Sequence, residues 1–447
     1  MQVAAQLRTA WREPLGILSA YAEEPWTLAF LSGGGGPRGR WSYLARRPEA
    51  TLWIGADDPR DPFQALAELL GPPGETLPNG PPFQGGVAGL CAYELGDRVE
   101  ALGLERRPGW PDLAAARYRA VLCFDHEKRQ VIGIGRGADE IEAEDAAYEA
   151  MTWLQVPPRA TRRGPLCPGL EASDPATYEA AVAEVVGRIA AGEIFQANIA
   201  RTWSGRLGEA VSPFDVLARL ARTSAAPFAA YLRLDRLALV SNSPERFLQA
   251  SPDGTVETRP IKGTRPRGAT PAEDLALVRE LSASAKDRAE NLMIVDLMRN
   301  DLARTAWAGS VEVPELWAVE TYANVHHLVS TVRGRLAPGR TALDLLRAAF
   351  PPGSITGAPK VQAMKTIAAL EPPRGPYCGS LFWAGADGAL DSSVLIRTLA
   401  CVRRDGGWEV EARAGAGIVA DSDPQAERLE TEAKIAALVA ALTGDGA

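Results

Sequence analysis

The sequence has few cysteines, and it has no long apolar runs. Its five cysteines stand far apart, at positions 91, 123, 167, 378 and 401, without a C-x-x-C pair. A small, odd number of widely spaced cysteines is typical of a reducing compartment, so we expect a cytoplasmic protein rather than a disulfide-bonded secreted one. No stretch of about 18 apolar residues occurs, and the first residues lack an apolar signal core, so neither a membrane span nor a signal peptide is predicted.

An excess of basic residues and the common nucleotide motifs are also missing. The 48 Lys and Arg are outnumbered by 56 Asp and Glu, which gives a net charge of −8. This balance argues against nucleic-acid binding, although a few local cations would suffice for a small anionic substrate. The glycine run at 33–36 lacks the Gly-Lys-Ser/Thr ending of a phosphate loop, and no G-x-G-x-x-G opens a helix. Kinases, ligases and dehydrogenases are therefore disfavoured.

The composition that is present is that of a globular protein with mixed secondary structure. Hydrophobic residues make up 46% and charged residues 23% of the chain, which is ordinary for a folded domain. A stretch rich in Pro, Arg and Gly at 156–175 lacks periodicity and is the best boundary, between an N-terminal region 1–165 and a second region 172–442. Strands interrupted by helices, without regular β-α alternation, predict an α+β fold.

Periodicity predicts the individual elements. Strands are expected at 27–31, 51–54, 119–124, 228–234, 237–240, 255–261, 377–383, 392–403 and 408–414. Helices are expected at 62–70, 138–154, 178–191, 272–302 and after Asp423, which with Pro424 makes a good helix start.

Acidic side chains share faces on two of these helices. Asp287 and Glu290 are three residues apart, and on the last helix Glu427, Glu430 and Lys434 follow one stripe. From spacing alone, a solvated charged face is the favoured interpretation. The alternative is a hard cation such as Mg²⁺, which binds one or two carboxylates and would relieve their repulsion.

A carboxyl group and an amine are predicted to meet across a hairpin. Glu245 follows a predicted strand, and Lys262 comes 17 residues later, beyond a turn at 251–254. A cross-strand salt bridge would explain the pair without any chemistry. The functional alternative needs both groups: a protonated carboxyl could donate to a leaving hydroxyl, and an unprotonated amine could attack carbon.

Several motifs, occurring in order, resemble the chorismate-utilising enzymes, the family of anthranilate, aminodeoxychorismate and isochorismate synthases. The matching segments are GEIFQANIAR at 192–201, RPIKGTR at 259–265, ENLMIVDLMRND at 290–301, FPPGSITGAPK at 350–360 and PQAERLETEAK at 424–434. The likeness covers about 175–440 and is looser over 1–165. It implies the anthranilate synthase component I-like fold, with two packed β-sheets and outer helices, and chorismate as the substrate.

The resemblance also implies a reaction. Glu245 matches the family's general acid, and Lys262 matches the nucleophile of the aminodeoxychorismate branch, where the anthranilate branch has Ala. Gln196 stands where isochorismate synthases carry a Lys that activates water, and Gln cannot act as that base. We therefore expect amination at C4, with ammonia from a separate glutaminase subunit, because no Gly-x-Cys-x-Gly turn is present. Arg265 is more typical of the anthranilate branch, so anthranilate synthase component I stays an alternative, as does a non-catalytic binding subunit.

The binding residues follow from the same likeness. Mg²⁺ is expected on Glu290 and Glu430, with Glu427 acting through water. Arg397 is expected within an apolar strand, where a structural partner could also satisfy its charge, and residues 415–417 are expected to form a turn of backbone donors. The full set of expected substrate-binding residues is Gly263, Thr264, His327, Thr356, Tyr377, Arg397, Gly415, Gly417 and Lys434.

Overall fold

The computed structural model describes residues 2–32, 39–322 and 325–444, so the glycine run at 33–36 lies outside the described residues. Within these ranges the strands are β1 (Val3–Ala10), β2 (Thr27–Leu31), β3 (Trp41–Ala45), β4 (Ala50–Ile54), β5 (Gly86–Cys91), β6 (Leu113–Tyr118), β7 (Ala120–Asp125), β8 (Gln130–Gly137), β9 (Leu170–Ala172), β10 (Gln196–Arg206), β11 (Phe228–Arg233), β12 (Leu237–Ser243), β13 (Arg246–Ala250), β14 (Thr255–Thr258), β15 (Ile261–Pro266), β16 (Glu312–Thr321), β17 (Val325–Arg335), β18 (Gly357–Ala358), β19 (Ser380–Gly385), β20 (Leu390–Val394), β21 (Thr398–Arg404) and β22 (Gly407–Ile418).

The α-helices of the same ranges are α1 (Pro14–Tyr21), α2 (Pro62–Leu70), α3 (Asp97–Glu100), α4 (Glu140–Thr152), α5 (Pro175–Ala190), α6 (Pro213–Thr223), α7 (Pro271–Ala283), α8 (Ala285–Ala303), α9 (Ala342–Ala349), α10 (Lys360–Leu370) and α11 (Pro424–Thr443). Many begin at a side-chain cap; Asp423, for example, accepts a hydrogen bond from the backbone N–H of Ala426 at 2.8 Å. No helix among the described residues is long and apolar enough to cross a membrane.

The strands of the described ranges form two antiparallel sheets. Twelve strands make the first sheet, in the order β1-β8-β7-β3-β2-β11-β12-β21-β22-β10-β18, with β9 also on β10. Ten make the second, in the order β15-β17-β14-β13-β20-β19-β5-β6-β4, with β16 on the other side of β17. Both sheets combine strands from before and after the stretch 156–175. The boundary in the sequence is therefore not a boundary between sheets, because each sheet needs both parts of the chain.

The two sheets pack face to face, and helices cover their outer faces. Tyr43 of β3 and Trp383 of β19 meet between the sheets, with ring centroids 6.1 Å apart. Outside the first sheet, α4, α6 and α11 bury apolar side chains such as Phe214 and Leu438. Outside the second sheet, α2, α8 and α9 do the same with Ile294 and Leu346. The predicted α+β architecture of two packed sheets with outer helices is confirmed.

The expected strand 255–261 is divided into β14 and β15, and the expected helical region 272–302 into α7 and α8. Three further predicted elements were wrong because backbone hydrogen bonds leave the regular ladder. The expected strand 392–403 is two strands, because the backbone of Leu395 bonds to Cys378 and Gly379 instead of to a neighbouring strand. For the same reason Tyr377 precedes β19 in a turn rather than opening the strand. In contrast, β22 continues through Ile418, so residues 415–417 lie in a strand and not in the expected turn.

Candidate active site

Lys262 lies at the centre of the groups selected from the sequence. It is half-buried on β15, and its Nζ is 3.1 Å from where a Cβ on Gly417 would stand. Its charge acts on the four other ionisable groups of interest, Glu245, Glu290, Glu430 and Lys434. Elements from both sheets and from two outer helices therefore converge on one amine.

Glu245 is buried beside this amine, at the junction of β12 and β13. Glu245 is only 5% exposed, and burial raises the pKa of its carboxyl group to about 7. A hydrogen bond with Ser354 and the charge of Lys262 oppose that rise. A carboxyl group with a pKa near neutrality can hold a proton and release it, as a general acid must. The pair is not joined by one hairpin as predicted, since β15 pairs with β17 and not with β13.

Ser354 was not singled out in the sequence, where Thr356 of the same loop was preferred. Thr356 is fully buried, and its hydroxyl donates to the carbonyl oxygens of Pro352 and Gly353 at 3.2 Å. Its own carbonyl accepts from the backbone N–H of Asn198 at 2.8 Å. In this arrangement Thr356 holds the loop against β10, and its contact with substrate stays a prediction.

Two glycines of β22 leave room for polar side chains above the strand. Gly415 and Gly417 are two residues apart, so they face the same side of the sheet. A Cβ on Gly415 would lie 3.0 Å from the hydroxyl of Tyr377, and one on Gly417 would overlap the amide nitrogen of Gln196. These predicted binding residues act here by having no side chain, which permits close approach.

Arg397 stands in the break between β20 and β21 rather than inside a strand. Its φ of +54° lies in the left-handed region, which costs a non-glycine residue of order 1 kcal/mol and is often found at functional sites. Burial lowers the pKa of its guanidinium, while the nearby Tyr377 and Glu430 favour the charge. In the described part of the chain no salt bridge or hydrogen bond satisfies this guanidinium, so it is free for an anionic ligand.

His327 and the part of β15 that follows Lys262 form one wall of the site. His327 of β17 is opposite Thr264 of β15, and its Nδ1 lies 2.9 Å from the Thr264 hydroxyl. Burial lowers the pKa of His327 to about 4, and the charge of Arg397 acts in the same direction. The ring is therefore neutral near pH 7 and suits a hydrogen bond rather than an ion pair. The neighbouring His326 instead contacts Asp274 at 2.9 Å, which supports the choice of His327.

Gly263 brings β15 against the helix that carries Glu290. Its φ is +81°, and a Cβ there would lie 2.9 Å from the carboxyl carbon of Asp287. Glycine is required on both counts, because other residues rarely adopt that conformation and have no room. The close approach sets Lys262 beside the first turns of α8.

The predicted metal carboxylates face each other from α8 and α11. Burial raises the pKa of Glu290, and the negative charge of Glu430 raises it further. Burial also opposes ionisation of Glu430, but the charge of Lys434 lowers the pKa of this carboxyl group overall. The Lys434 Nζ lies 2.5 Å from Glu430 Oε1. Glu427 is buried and accepts a hydrogen bond from the Ser422 hydroxyl at 2.7 Å.

This donor set fits a hard cation completed by other ligands. Among the described residues, no three His, Cys, Asp or Glu side chains are grouped closely enough to hold a metal by themselves. Mg²⁺ needs only one or two carboxylates, with waters and substrate oxygens filling its remaining positions. Glu290 and Glu430 supply oxygen atoms and mutual repulsion that a cation would relieve, so Mg²⁺ stays a prediction compatible with the site.

Comparison with known proteins places the chain among its relatives. The sequence profile of the chorismate binding enzyme family matches residues 30–440. The aminodeoxychorismate synthase component 1 of Salmonella typhimurium is 40% identical over 435 residues, 92% of each chain. The anthranilate synthase component 1 of Streptomyces coelicolor is 42% identical, over 90% of this chain and 81% of its own.

The fold agrees with that of a solved relative. The anthranilate synthase component I of Streptococcus pneumoniae superposes with a TM-score of 0.78 and 29% identity, covering 89% of this chain and 92% of its own. The family profile spans strands of both sheets and every residue of the site, and it begins at residue 30, within the N-terminal region for which the likeness in sequence was loose. The chain belongs to the family of chorismate-binding enzymes.

Proposed function

We propose that this protein is the aminating component of an aminodeoxychorismate synthase, which converts chorismate and ammonia to 4-amino-4-deoxychorismate. The observation that carries the proposal is the place of the Lys262 amine, between Glu245 and the glycine floor of β22. Overall identity does not select the branch, since relatives of both names are about equally similar, at 40% and 42%. An amine at this point has a direct chemical role, whereas the alanine of the anthranilate branch has none.

The cationic groups of the site suit a dianionic substrate. Arg397 would bind one carboxylate through its planar fork, with Tyr377 beside it and Lys434 adding charge from α11. Glu290 and Glu430 would hold Mg²⁺, with Glu427 contributing through water, and a bound Mg²⁺ would neutralise and orient a substrate carboxylate. These contacts would fix the ring between Lys262 and Glu245.

The two reacting side chains then divide the work. The Lys262 amine, in its unprotonated form, forms a bond to C2, the ring double bonds shift, and the C4–O bond breaks as Glu245 gives its proton to the departing hydroxyl, which leaves as water. Ammonia next forms a bond to C4, the double bonds shift back, and the C2–N bond to Lys262 breaks. The nitrogen now bonded to C4 loses a proton to Glu245, which restores the general acid. The net reaction replaces the C4 hydroxyl by an amino group and releases water.

The ammonia would come from solution or from a separate glutaminase subunit. A glutaminase needs an accessible cysteine thiolate, but all five cysteines here are buried, and burial raises the pKa of each thiol. The relatives carry the words component 1 in their names, which supports a second component for this chain as well.

Trapping the covalent intermediate tests the proposal. Incubated with chorismate and Mg²⁺ but no ammonia, the wild-type protein should gain the mass of chorismate minus water on Lys262, as measured by intact-protein and peptide mass spectrometry. Lys262→Ala should form no adduct and lose amination, whereas Lys365→Ala, which removes an exposed lysine of α10, should behave as wild type.

Product analysis separates the alternatives. With ammonium salt the wild type should give a product that yields 4-aminobenzoate only after a lyase is added. Direct appearance of anthranilate and pyruvate would assign the chain to the other branch. Full activity of Lys262→Ala would remove the covalent mechanism, and failure of the folded wild type to turn over chorismate would favour a binding subunit.

A further inference from the structure

Asn198 has a buried carboxamide whose purpose is not explained by the fold. The residue is 7% exposed, and its Oδ1 has no hydrogen-bond partner among the described residues. Burying an amide oxygen without a partner costs of order 1–3 kcal/mol. Such an atom inside a well-formed site indicates a ligand that completes its hydrogen bonding.

The backbone of Asn198, by contrast, is fully used. Its N–H donates to the carbonyl oxygen of Thr356 at 2.8 Å, and its own carbonyl accepts from Arg374 at 2.7 Å. In β10 it pairs with Gly417 of β22. The strand is therefore held by main-chain bonds and by Arg374, and the side chain is left over for another role.

The carboxamide points to the space above Gly415. A Cβ on that glycine would stand 2.7 Å from Asn198 Oδ1 and 3.0 Å from the Tyr377 hydroxyl, so both polar groups border one small volume. Lys434 donates to the carbonyl of Gly415 at 3.0 Å. Arg397 lies near Tyr377 and has no partner of its own in the described part of the chain.

This surrounding of donors and cations favours an anionic ligand group. Which end of an amide faces a given point is fixed by its hydrogen-bond partners, and a half-turn of the side-chain amide presents Nδ2 in place of Oδ1. In that orientation Nδ2 donates a hydrogen bond to a ligand oxygen that also accepts one from the Tyr377 hydroxyl. The substrate of the proposed reaction carries carboxylates, which supply such oxygens.

We propose that Asn198 is a further substrate-binding residue, whose carboxamide donates to the substrate carboxylate that lies above Gly415. The inference rests on the proposed use of chorismate but not on the amination branch, since a carboxylate would be held in the same way before either reaction. Asn198 would add an uncharged hydrogen-bond donor, carried by β10, to the charged groups that are proposed to bind the substrate.

Binding of chorismate to three variants tests this role. Asn198→Ala should raise the dissociation constant measured by calorimetry about tenfold or more, the usual range for a hydrogen bond to a charged group. Asn198→Asp keeps the shape but places an anion against the carboxylate, so it should bind more weakly than Asn198→Ala. Thr366→Val is the control: it removes a buried hydroxyl that, like Asn198 Oδ1, has no partner in the described structure. This variant should bind chorismate as wild type does.

The outcomes separate this inference from the proposed function. If the wild type binds chorismate and Asn198→Ala binds it equally well, Asn198 has no contact with the substrate. If Asn198→Asp binds as tightly as wild type, the side chain accepts from a hydroxyl and the carboxylate assignment is wrong. If the folded wild type does not bind chorismate, the proposed function fails first. Circular dichroism and thermal unfolding of each variant establish that loss of binding is not loss of fold.

Discussion

Single atoms decide much of the chemistry of this site, and Glu245 is the clearest case. The carboxyl group of a free glutamate has an ordinary pKa of 4.5, and burial raises that of Glu245 to about 7. Between those two pH values the unfolded chain loses its proton while the folded protein keeps it. The folded state must therefore lose stability as the pH rises through this window, and the loss should stop once both states are ionised.

Glu245→Gln should reveal that cost. Glutamine cannot ionise, so the variant should gain stability relative to wild type as the pH rises from about 4.5 to about 7, reaching roughly 3 kcal/mol and then staying constant. Urea unfolding at several pH values measures the difference. A difference independent of pH would mean that Glu245 ionises in the folded protein as it does in water. The same variant should be unable to protonate the leaving hydroxyl, so its turnover should fall at every pH.

The two glycines of β22 offer a matched pair of variants. A Cβ on Gly417 would meet the ends of two side chains, those of Gln196 and Lys262. A Cβ on Gly415 would instead lie 2.7 Å from a backbone atom, the carbonyl oxygen of Ile199. Gly417→Ala should keep the fold and lose activity on the order of 100-fold, because the nucleophile is displaced. Gly415→Ala should also lower the free energy of unfolding, by about 1–3 kcal/mol, since backbone cannot move aside easily. Equal stability of the two variants would contradict this account.

At the scale of elements, α11 carries the Glu427, Glu430 and Lys434 stripe, and its first turn sets where that stripe points. Asp423→Ala removes the N-cap and should cost about 1 kcal/mol of stability, together with weaker Mg²⁺ binding. Gly187→Ala in the exposed part of α5, where a new methyl meets nothing within 4 Å, should stabilise by about 0.5–1 kcal/mol and leave metal binding unchanged. Chemical unfolding and calorimetry with Mg²⁺ measure both variants, and an unchanged Asp423→Ala would refute the capping argument.

At the scale of the whole molecule, the interleaved sheets make the halves of the chain interdependent. In the first sheet β2 pairs with β11, and in the second β5 pairs with β19. Arg107 and Glu411 add an ion pair between the two parts.

Residues 166–447 expressed alone should therefore fail to fold, although they contain every proposed catalytic and binding residue, because two long sheet edges and the core between the sheets would be exposed. Circular dichroism and the dispersion of amide signals in an NMR spectrum would show this. Coexpression with residues 1–165 should restore the native spectrum. A folded, isolated 166–447 would show that the region is an independent domain.

Local signals in the sequence were enough for some of the elements and for much of the proposed chemistry. The helix 62–70 and the strand 27–31 were predicted with their observed bounds, because a helix cap and a short apolar run are properties of neighbouring residues. The i, i+4 contact of Glu430 and Lys434 likewise follows from helical spacing. Lys262, Glu245 and His327 came from motifs that stay recognisable without any three-dimensional information.

Only the tertiary structure decided what depends on contacts between distant parts of the chain. It placed Arg397 in a strand break, since Leu395 bonds to a turn that precedes it in sequence, and it set Gly415 and Gly417 in a strand as the floor of the site. It raised the pKa of Glu245 through burial that no motif encodes. It also left Asn198 with an unsatisfied amide. Residue type determines which chemistry is possible, but burial and close approach are set by the packing of elements far apart in sequence, and these decide which groups can act.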